Sequence, residues 1–304
     1  MGIKNQQHTP AGTSSRSRRG QRPWRLGGLA LLLLVALFAS PAAFGAPESP
    51  TLLLGPGDLF ENRMVFTYAG DLWTAQTDGT APRRLCSEGT VVGRPSFSPD
   101  GEHVVFSLQR NNNVDVYVLP SAGGTPRRLT AHPGVDRALG FSADGGEILL
   151  ASDREAALRS TFSLFTVPRH GGALRKAPLP QAFDGAFAPN GSLFAYNPLP
   201  PAFRIWKGYR GGTISVLHLF DPVTRKDTTV PQPPEGCNDV QPQWQGTTLY
   251  FLSDRNGEFN VHAFDPATRQ VRPLTSFDAF PVESLAAAPE GTLLYLRQGR
   301  LHLR

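Results

Sequence analysis

A five-residue signal, FSPDG at 97–101, recurs along this chain as FSADG at 141–145 and FAPNG at 187–191. A weaker echo, WQG, starts at Trp244, and AAPEG runs from Ala287 to Gly291. The steps between first positions are 44, 46, 57 and 43 residues. A period in that range marks repeated supersecondary units, each too small to bury its own apolar face.

Aligning the residues around each turn defines the unit. After the turn comes a β-rich run: Val104–Ser107, Ile148–Leu150, Leu193–Tyr196, Leu249–Phe251 and Leu293–Tyr295. Asp-Gly or Asn-Gly at the junction predicts a hairpin. A third run carries an aromatic ring or an imidazole at one matching position, held by Trp73, Tyr117, Phe165, His218, His262 and His302. A fourth, often basic, run closes the unit, as in Arg83-Arg84-Leu85 and Arg127-Arg128-Leu129. Each unit therefore reads as a four-stranded antiparallel meander, the size of one β-propeller blade, and radial packing of such sheets covers faces that a lone sheet leaves wet. The expected fold is all-β, a six-bladed propeller over residues 51–304. Its first blade lacks the turn signal, with Leu52–Leu54 expected as inner strand, Met64–Tyr68 as second and Leu72–Gln76 as third. The last blade is expected to be truncated, with 23 of 24 strands present, because the sequence stops at Arg304 inside a third strand.

The first 45 residues read differently. Lys4, Arg16, Arg18, Arg19, Arg22 and Arg25 precede an apolar stretch from Leu26 to Phe38, and Ala43 and Gly45 suit a cleavage site. That is the layout of a secretory signal peptide over residues 1–45, and the apolar stretch is short of the roughly 20 residues of a spanning helix. Export to a periplasmic or extracellular compartment is expected, with no stable membrane span after cleavage. Residues 46–50 form a short linker. The whole chain carries 30 basic and 25 acidic residues, but all six leader charges are positive, leaving 24 against 25. The basic balance is thus a targeting property and gives no support for nucleic-acid binding. Cys86 and Cys237 fall in blades 1 and 5, which do not touch in a six-bladed ring, so neither a disulfide nor a metal framework is expected.

Two features depart from the plain repeat. Ser152-Asp153-Arg154 and Ser253-Asp254-Arg255 follow the second strands of blades 3 and 5, where the Asp can close a turn and the Arg can cross to a neighbouring strand. Blade 4 is longer by the stretch 197–212, NPLPPAFRIWKGYRGG, whose prolines, glycines and aromatics argue for an ordered loop beyond the sheet.

With LLLGPG at 52–57, GDLW at 70–73, WKGYRGGT at 206–213 and LTSFDAFPV at 274–282 added to the repeats, the chain resembles the N-terminal six-bladed propeller of the tricorn protease family. WKGYRGGT carries the most weight, because no packing period demands it. Tricorn-type enzymes are serine peptidases whose catalytic residues lie in downstream domains. The resemblance therefore implies a non-catalytic propeller that channels, gates or docks peptides, with peptide substrates or adjacent peptidase domains as partners and a homo-oligomer possible. A stand-alone TolB-like interaction propeller is the alternative.

The motifs of enzyme chemistry are missing from the sequence. There is no G-x-S-x-G, no H-E-x-x-H, no phosphate-cradling glycine loop and no cysteine pair, so no catalytic, metal or cofactor residue is assigned. His218, His262 and His302 are expected to act as flat packing groups between blades, and His132 as a turn hydrogen-bonding group. The expected polar lining of the central channel is Arg94, Asp136, Arg137, Asp184, Asp239, Gln241, Gln243 and Glu283, all preceding the turns. Both signs are present, which suits short peptides with charged termini. Trp206, Lys207, Tyr209 and Arg210 of the blade 4 loop are the candidate rim contacts, since Trp, Tyr and Arg anchor interfaces.

Overall fold

Each FSPDG-type turn is a hairpin held by its own side chains. In the first, Ser98 N–H donates to the carbonyl of His103 at 2.9 Å, Gly101 N–H donates to Ser98, and Asp100 Oδ1 accepts from Glu102 N–H at 2.9 Å. Gly101 sits at φ +67°, which a glycine adopts without strain. The computed structural model describes residues 53–156, 161–179, 181–202, 207–288 and 290–304. The signal-peptide and linker assignments and Leu52 lie outside them.

Six antiparallel sheets follow in chain order. Blade 1 comprises β1 (Leu54–Phe60), β2 (Arg63–Tyr68), β3 (Asp71–Gln76) and β4 (Arg83–Cys86). Blade 2 comprises β5 (Thr90–Phe97), β6 (His103–Arg110), β7 (Asn113–Pro120) and β8 (Arg127–Arg128). Blade 3 comprises β9 (Asp136–Phe141), β10 (Glu147–Ser152), β11 (Ser163–Pro168) and β12 (Arg175–Lys176). Blade 4 comprises β13 (Asp184–Phe187), β14 (Phe194–Asn197), β15 (His218–Phe220) and β16 (Asp227–Thr229). Blade 5 comprises β17 (Asp239–Gln245), β18 (Thr248–Ser253), β19 (Asn260–Asp265) and β20 (Gln270–Pro273). Blade 6 has three strands, β21 (Ser284–Ala287), β22 (Leu293–Arg297) and β23 (Arg300–Leu303). The first inner strand corrects the sequence reading of Leu52–Leu54: it runs from Leu54 to Phe60, through Gly55-Pro56-Gly57, because a register shift between Leu54 and Gly57 absorbs the proline.

The apolar residues sort into six clusters, one between each pair of neighbouring blades. Blades 1 and 2 share Val65, Leu72, Val104 and Phe106, and blades 4 and 5 share Ala195, Leu217, Leu249 and Phe251. The sixth cluster, Leu59, Ala286, Ala288 and Leu294, joins blade 6 to blade 1 and closes the ring. Inner strands are also stitched by hydrogen bonds. Phe97 N–H donates to Asp58 at 2.8 Å, Ala138 N–H to Ser107 at 2.8 Å, and Trp244 Nε1 to the carbonyl of Ala186 at 3.1 Å. Gln241 donates to the Glu283 carbonyl and accepts from Leu285 N–H. Among the described residues no strand is exchanged between blades 1 and 6, and the backbone bond from Leu54 N–H to Gly299 O spans that seam.

At the matching position on the third strands, Tyr117 and Phe165 join the cores between blades, while the three histidines meet a ring on the second strand of their own blade. His218 meets Tyr196 in a tilted pair at 5.2 Å, while His262 stacks on Phe251 at 5.9 Å and His302 on Tyr295 at 5.1 Å. Each pair sits directly opposite in register, so the ring covers its cross-strand neighbour. His132 Nδ1 accepts from Gly134 N–H at 2.9 Å, a turn bond. Cys86 and Cys237 are both free and buried.

Candidate functional site

Inner strands of a regular sheet would point alternate side chains into the flanking cores, not at the axis. Four of the six bulge instead, with register shifts between Leu54 and Gly57, Val92 and Ser96, Leu149 and Leu150 on the partner of β9, and Val240 and Gln243. Bulges bend a strand and re-aim its side chains. Arg94, Leu139 and Gln241 sit at these irregularities, with Gly93 at φ +77° and Gln241 at φ +55°. The sequence signal was Pro56, Pro95 and Pro242, since proline cannot donate to a ladder and marks a bulge or an edge.

The result is two axial cavities. One, about 390 Å³, lies toward the face of the second-to-third strand turns. Arg94, Arg137, Asp184, Gln241, Gln243 and Glu283 of the expected lining all border it. The other, about 510 Å³, lies toward the FSPDG-type turns and is bordered by Phe60, Phe97, Phe141, Phe187 and Trp244. Arg94, Leu139 and Gln243 border both and mark the waist.

Asp136 and Asp239 are not lining residues. Both are fully buried, each pinned by the arginine of a Ser-Asp-Arg tripeptide. Arg154 Nη2 donates to both oxygens of Asp136 at 2.9 and 2.8 Å, and Arg255 Nη2 to both of Asp239 at 3.0 Å. Ser152 and Ser253 hold the two guanidinium groups through Nε at 2.9 and 3.0 Å. The aspartate of each tripeptide closes its turn through its carbonyl and accepts from the chain entering the inner strand, at Val135 N–H and Asn238 N–H. Unlike Asp184 and Glu283, which border the first cavity, these two carboxylates are satisfied by buried arginine partners.

The blade 4 loop is tied to blade 5. Arg210 donates to Asp254 Oδ2 at 2.7 Å and to its carbonyl at 3.1 Å, and Lys207 pairs with Glu258. Asn238 Nδ2 donates to the Tyr209 carbonyl at 3.1 Å. Leu199, Pro201, Lys207 and Gly208 thereby border the first cavity at its mouth. Trp206 lies outside the described residues.

Sequence reasoning missed Asp58. It is buried on β1 beside the second cavity, accepting from Ser96 Oγ at 2.9 Å and Phe97 N–H at 2.8 Å. Burial holds its carboxyl above the usual carboxylate range, opposed by the Arg94 charge and these bonds. Asn197, also missed, lines the first cavity while its Nδ2 donates to the carbonyls of Val216 and Asp239. A polar residue in the middle of an apolar run was the available signal for both.

Burial holds two titratable groups, Cys237 and His262, in their neutral forms. Burial, then Asp239, pushes the Cys237 thiol up to about 12, and burial pulls His262 down to about 4. Asp100, Glu102 and His103 bring ligand-type atoms within 4.8 Å of one another, but Asp100 already accepts from Ser98, Glu102 N–H and Arg169.

Comparison with known proteins agrees with this geometry. A homologue from Streptomyces coelicolor named tricorn protease homolog 1 is 30% identical over 260 residues, covering 84% of this chain and 24% of its own. A protein from Sulfurisphaera tokodaii named putative tricorn-like protease N-terminal subunit is 26% identical over 163 residues, covering 51% of this chain and 80% of its own. The crystal structure of the tricorn protease superposes with a TM-score of 0.72 at 22% identity, over 84% of this chain and 25% of that one. The chain thus spans about a quarter of the length of the full tricorn proteins it matches. Residues 51–304 match the family described as the tricorn protease N-terminal beta propeller domain, and the chain belongs to that family.

Proposed function

We propose that this chain is the non-catalytic propeller of an exported tricorn-type peptidase, whose axial passage admits and positions peptides for catalytic domains outside the chain. One observation carries the reading: two cavities meet at Arg94, Leu139 and Gln243, and cationic and anionic groups from different blades, Arg94, Arg137, Asp184 and Glu283, border the first of them. Arg94 on blade 2 and Glu283 on blade 6 suit a ligand with a charge at each end. Export is supported by the basic and apolar layout of residues 4–38. A docking role is supported by the Sulfurisphaera relative, whose name describes a separate N-terminal subunit.

Calorimetric titration with three- to six-residue peptides tests the reading. Peptides with free termini should bind, end-blocked ones should bind less, and Arg94→Met should weaken the free-terminus peptides about tenfold, the scale of one charge-assisted contact. Binding indifferent to end-blocking and to Arg94→Met would count against the passage. Retention of a non-peptidase partner without any peptide binding would instead favour the TolB-like alternative.

A further inference from the structure

Two ion pairs tie the blade 4 loop to blade 5 at the mouth of the first cavity, and they differ in kind. Arg210 meets Asp254, whose side chain is 2% exposed. Asn238 N–H donates to Asp254 Oδ1 at 2.7 Å and Asn238 Nδ2 to Oδ2 at 2.9 Å, so both oxygens of that carboxylate are held by the protein. Lys207 meets Glu258, and there the two sides are unequal: the lysine side chain is 80% exposed and the glutamate side chain 11%. Among the described residues Lys207 is the one partner of the Glu258 carboxylate, since the bond from Asn260 Nδ2 goes to the Glu258 backbone carbonyl.

The inequality decides which partner can leave. An exposed lysine gives up side-chain freedom and hydration to hold its pair, and such a contact shifts an equilibrium by about fivefold at most. A carboxylate largely withdrawn from water requires a cation beside it. Lys207 is therefore replaceable, and its replacement must carry positive charge. Lys207, Gly208, Gly257 and Glu258 all border the cavity. Chain neighbours aside, no heavy atom lies within 4 Å of where a Cβ on either glycine would sit, so the pair is reached from open space. The other carboxylates of the cavity compare poorly. Asp254 is fully engaged, Asp184 Oδ1 accepts from Gly185 N–H at 2.8 Å, and Glu283 is exposed, where water weakens its attraction.

We infer that Glu258 is the ammonium-binding residue of the first cavity: a primary ammonium of a peptide, the α-amino group or a lysine side chain, displaces Lys207 and takes its place on the carboxylate. The loop's own lysine is the template, since its Nζ is the same compact three-donor group, whereas a guanidinium is a planar fork. This rests on the reading that the axial passage holds peptides, and it adds which group of the peptide is recognised and by which residue. Arg210 stays on Asp254 throughout, so the loop remains attached while Lys207 moves into solvent. Because lysine and ligand compete for one carboxylate, the two members of the pair act on binding in opposite directions. Glu258 promotes it and Lys207 opposes it. An ion pair with only a structural role would not behave so: removing either member would loosen the loop and weaken binding alike.

Calorimetric titration of the full 304-residue chain with the tetrapeptide LAAF, its N-acetylated form and acetyl-LAKF tests this. At low salt LAAF should bind about tenfold tighter than acetyl-LAAF, a gap that narrows as salt rises. Glu258→Gln should remove that gap, while Lys207→Met should tighten LAAF by up to about fivefold and leave acetyl-LAAF unchanged. Regained affinity in acetyl-LAKF, lost again in Glu258→Gln, would assign the site to any primary ammonium; no regain would restrict it to the N-terminus. Weaker LAAF binding in Lys207→Met, or a gap that survives Glu258→Gln, would overturn the inference. Peptides whose binding depends on Arg94 but not on Glu258 would overturn it alone and leave the axial passage standing, whereas no binding of any of the three would overturn both.

Discussion

His262 is buried completely on β19, and replacing it by phenylalanine should remove a large part of the acid sensitivity of the fold. Its Nδ1 lies 3.1 Å from the Asn260 carbonyl, so the neutral ring carries its proton there, and Nε2 is buried without a partner. Burial, with Arg255 adding to it, lowers its pKa to about 4. An unfolded histidine titrates near 6.5. Between those values the unfolded chain binds the extra proton, so stability is lost as pH falls from about 6.5 toward 4. At pH 4.5 the loss comes to roughly 2.5 kcal/mol at 1.36 kcal/mol per pKa unit. For a domain of this size that is a drop of about 5–10 °C in Tm. Phe165 holds the same position on blade 3, opposite Leu150 in register, so phenylalanine is compatible with the site. His262→Phe should be neutral to mildly stabilising at pH 7.5, because it removes an orphaned buried acceptor. Thermal unfolding of both proteins at pH 7.5, 6, 5 and 4.5 gives the answer, with the carboxylates common to both cancelling in the difference. Asp100, held down to about 2 chiefly by the Ser98 hydroxyl, responds only below this window. Parallel Tm curves for the two proteins would refute the reasoning.

Arg255→Met leaves the fully buried Asp239 without its cation and should cost about 3–5 kcal/mol in urea unfolding at pH 7, a cost much reduced when Asp239→Asn is added. Asp58→Asn should raise stability at neutral pH. The Asp58 carboxyl is held above its usual range, so the fold favours its protonated form and wild type loses stability as pH rises through that range; identical pH profiles of unfolding would disprove this. Burial also raises both thiols, so Cys86 and Cys237 should react with a maleimide only after denaturant is added, as mass spectrometry would read. Native-state amide exchange should be fastest in β21–β23, where the inter-blade core is smallest, and slower in β6 and β7.

The blades were legible because their signals are local. A turn every 45 residues, a ring at one third-strand position and a basic fourth strand need no knowledge of distant partners. Axial bulges were harder, although Pro95 and Pro242 announced them, because deciding which side chain a bulge turns inward requires the register of the neighbouring strand. Asp136 and Asp239 were read as channel residues for the same reason. Their arginines stand 18 and 16 positions away in a tripeptide that was recognised as repeated without its target being identified. The WKGYRGGT segment stood out by breaking the period, but its anchor, Asp254, lies 44 residues beyond Arg210 and only the fold brings them together. Asp58 escaped because its partners are backbone and hydroxyl groups of the next blade.

The central claim is that the axis of this propeller is a place where peptides reside. Amide chemical-shift mapping of the protein titrated with a free-terminus tetrapeptide tests it most directly. The account predicts shifts concentrated at Arg94, Leu139, Gln243 and Glu283, reached only at higher peptide concentration when the termini are blocked. Shifts confined to the outer strands, with those four amides unmoved at saturation, would contradict it.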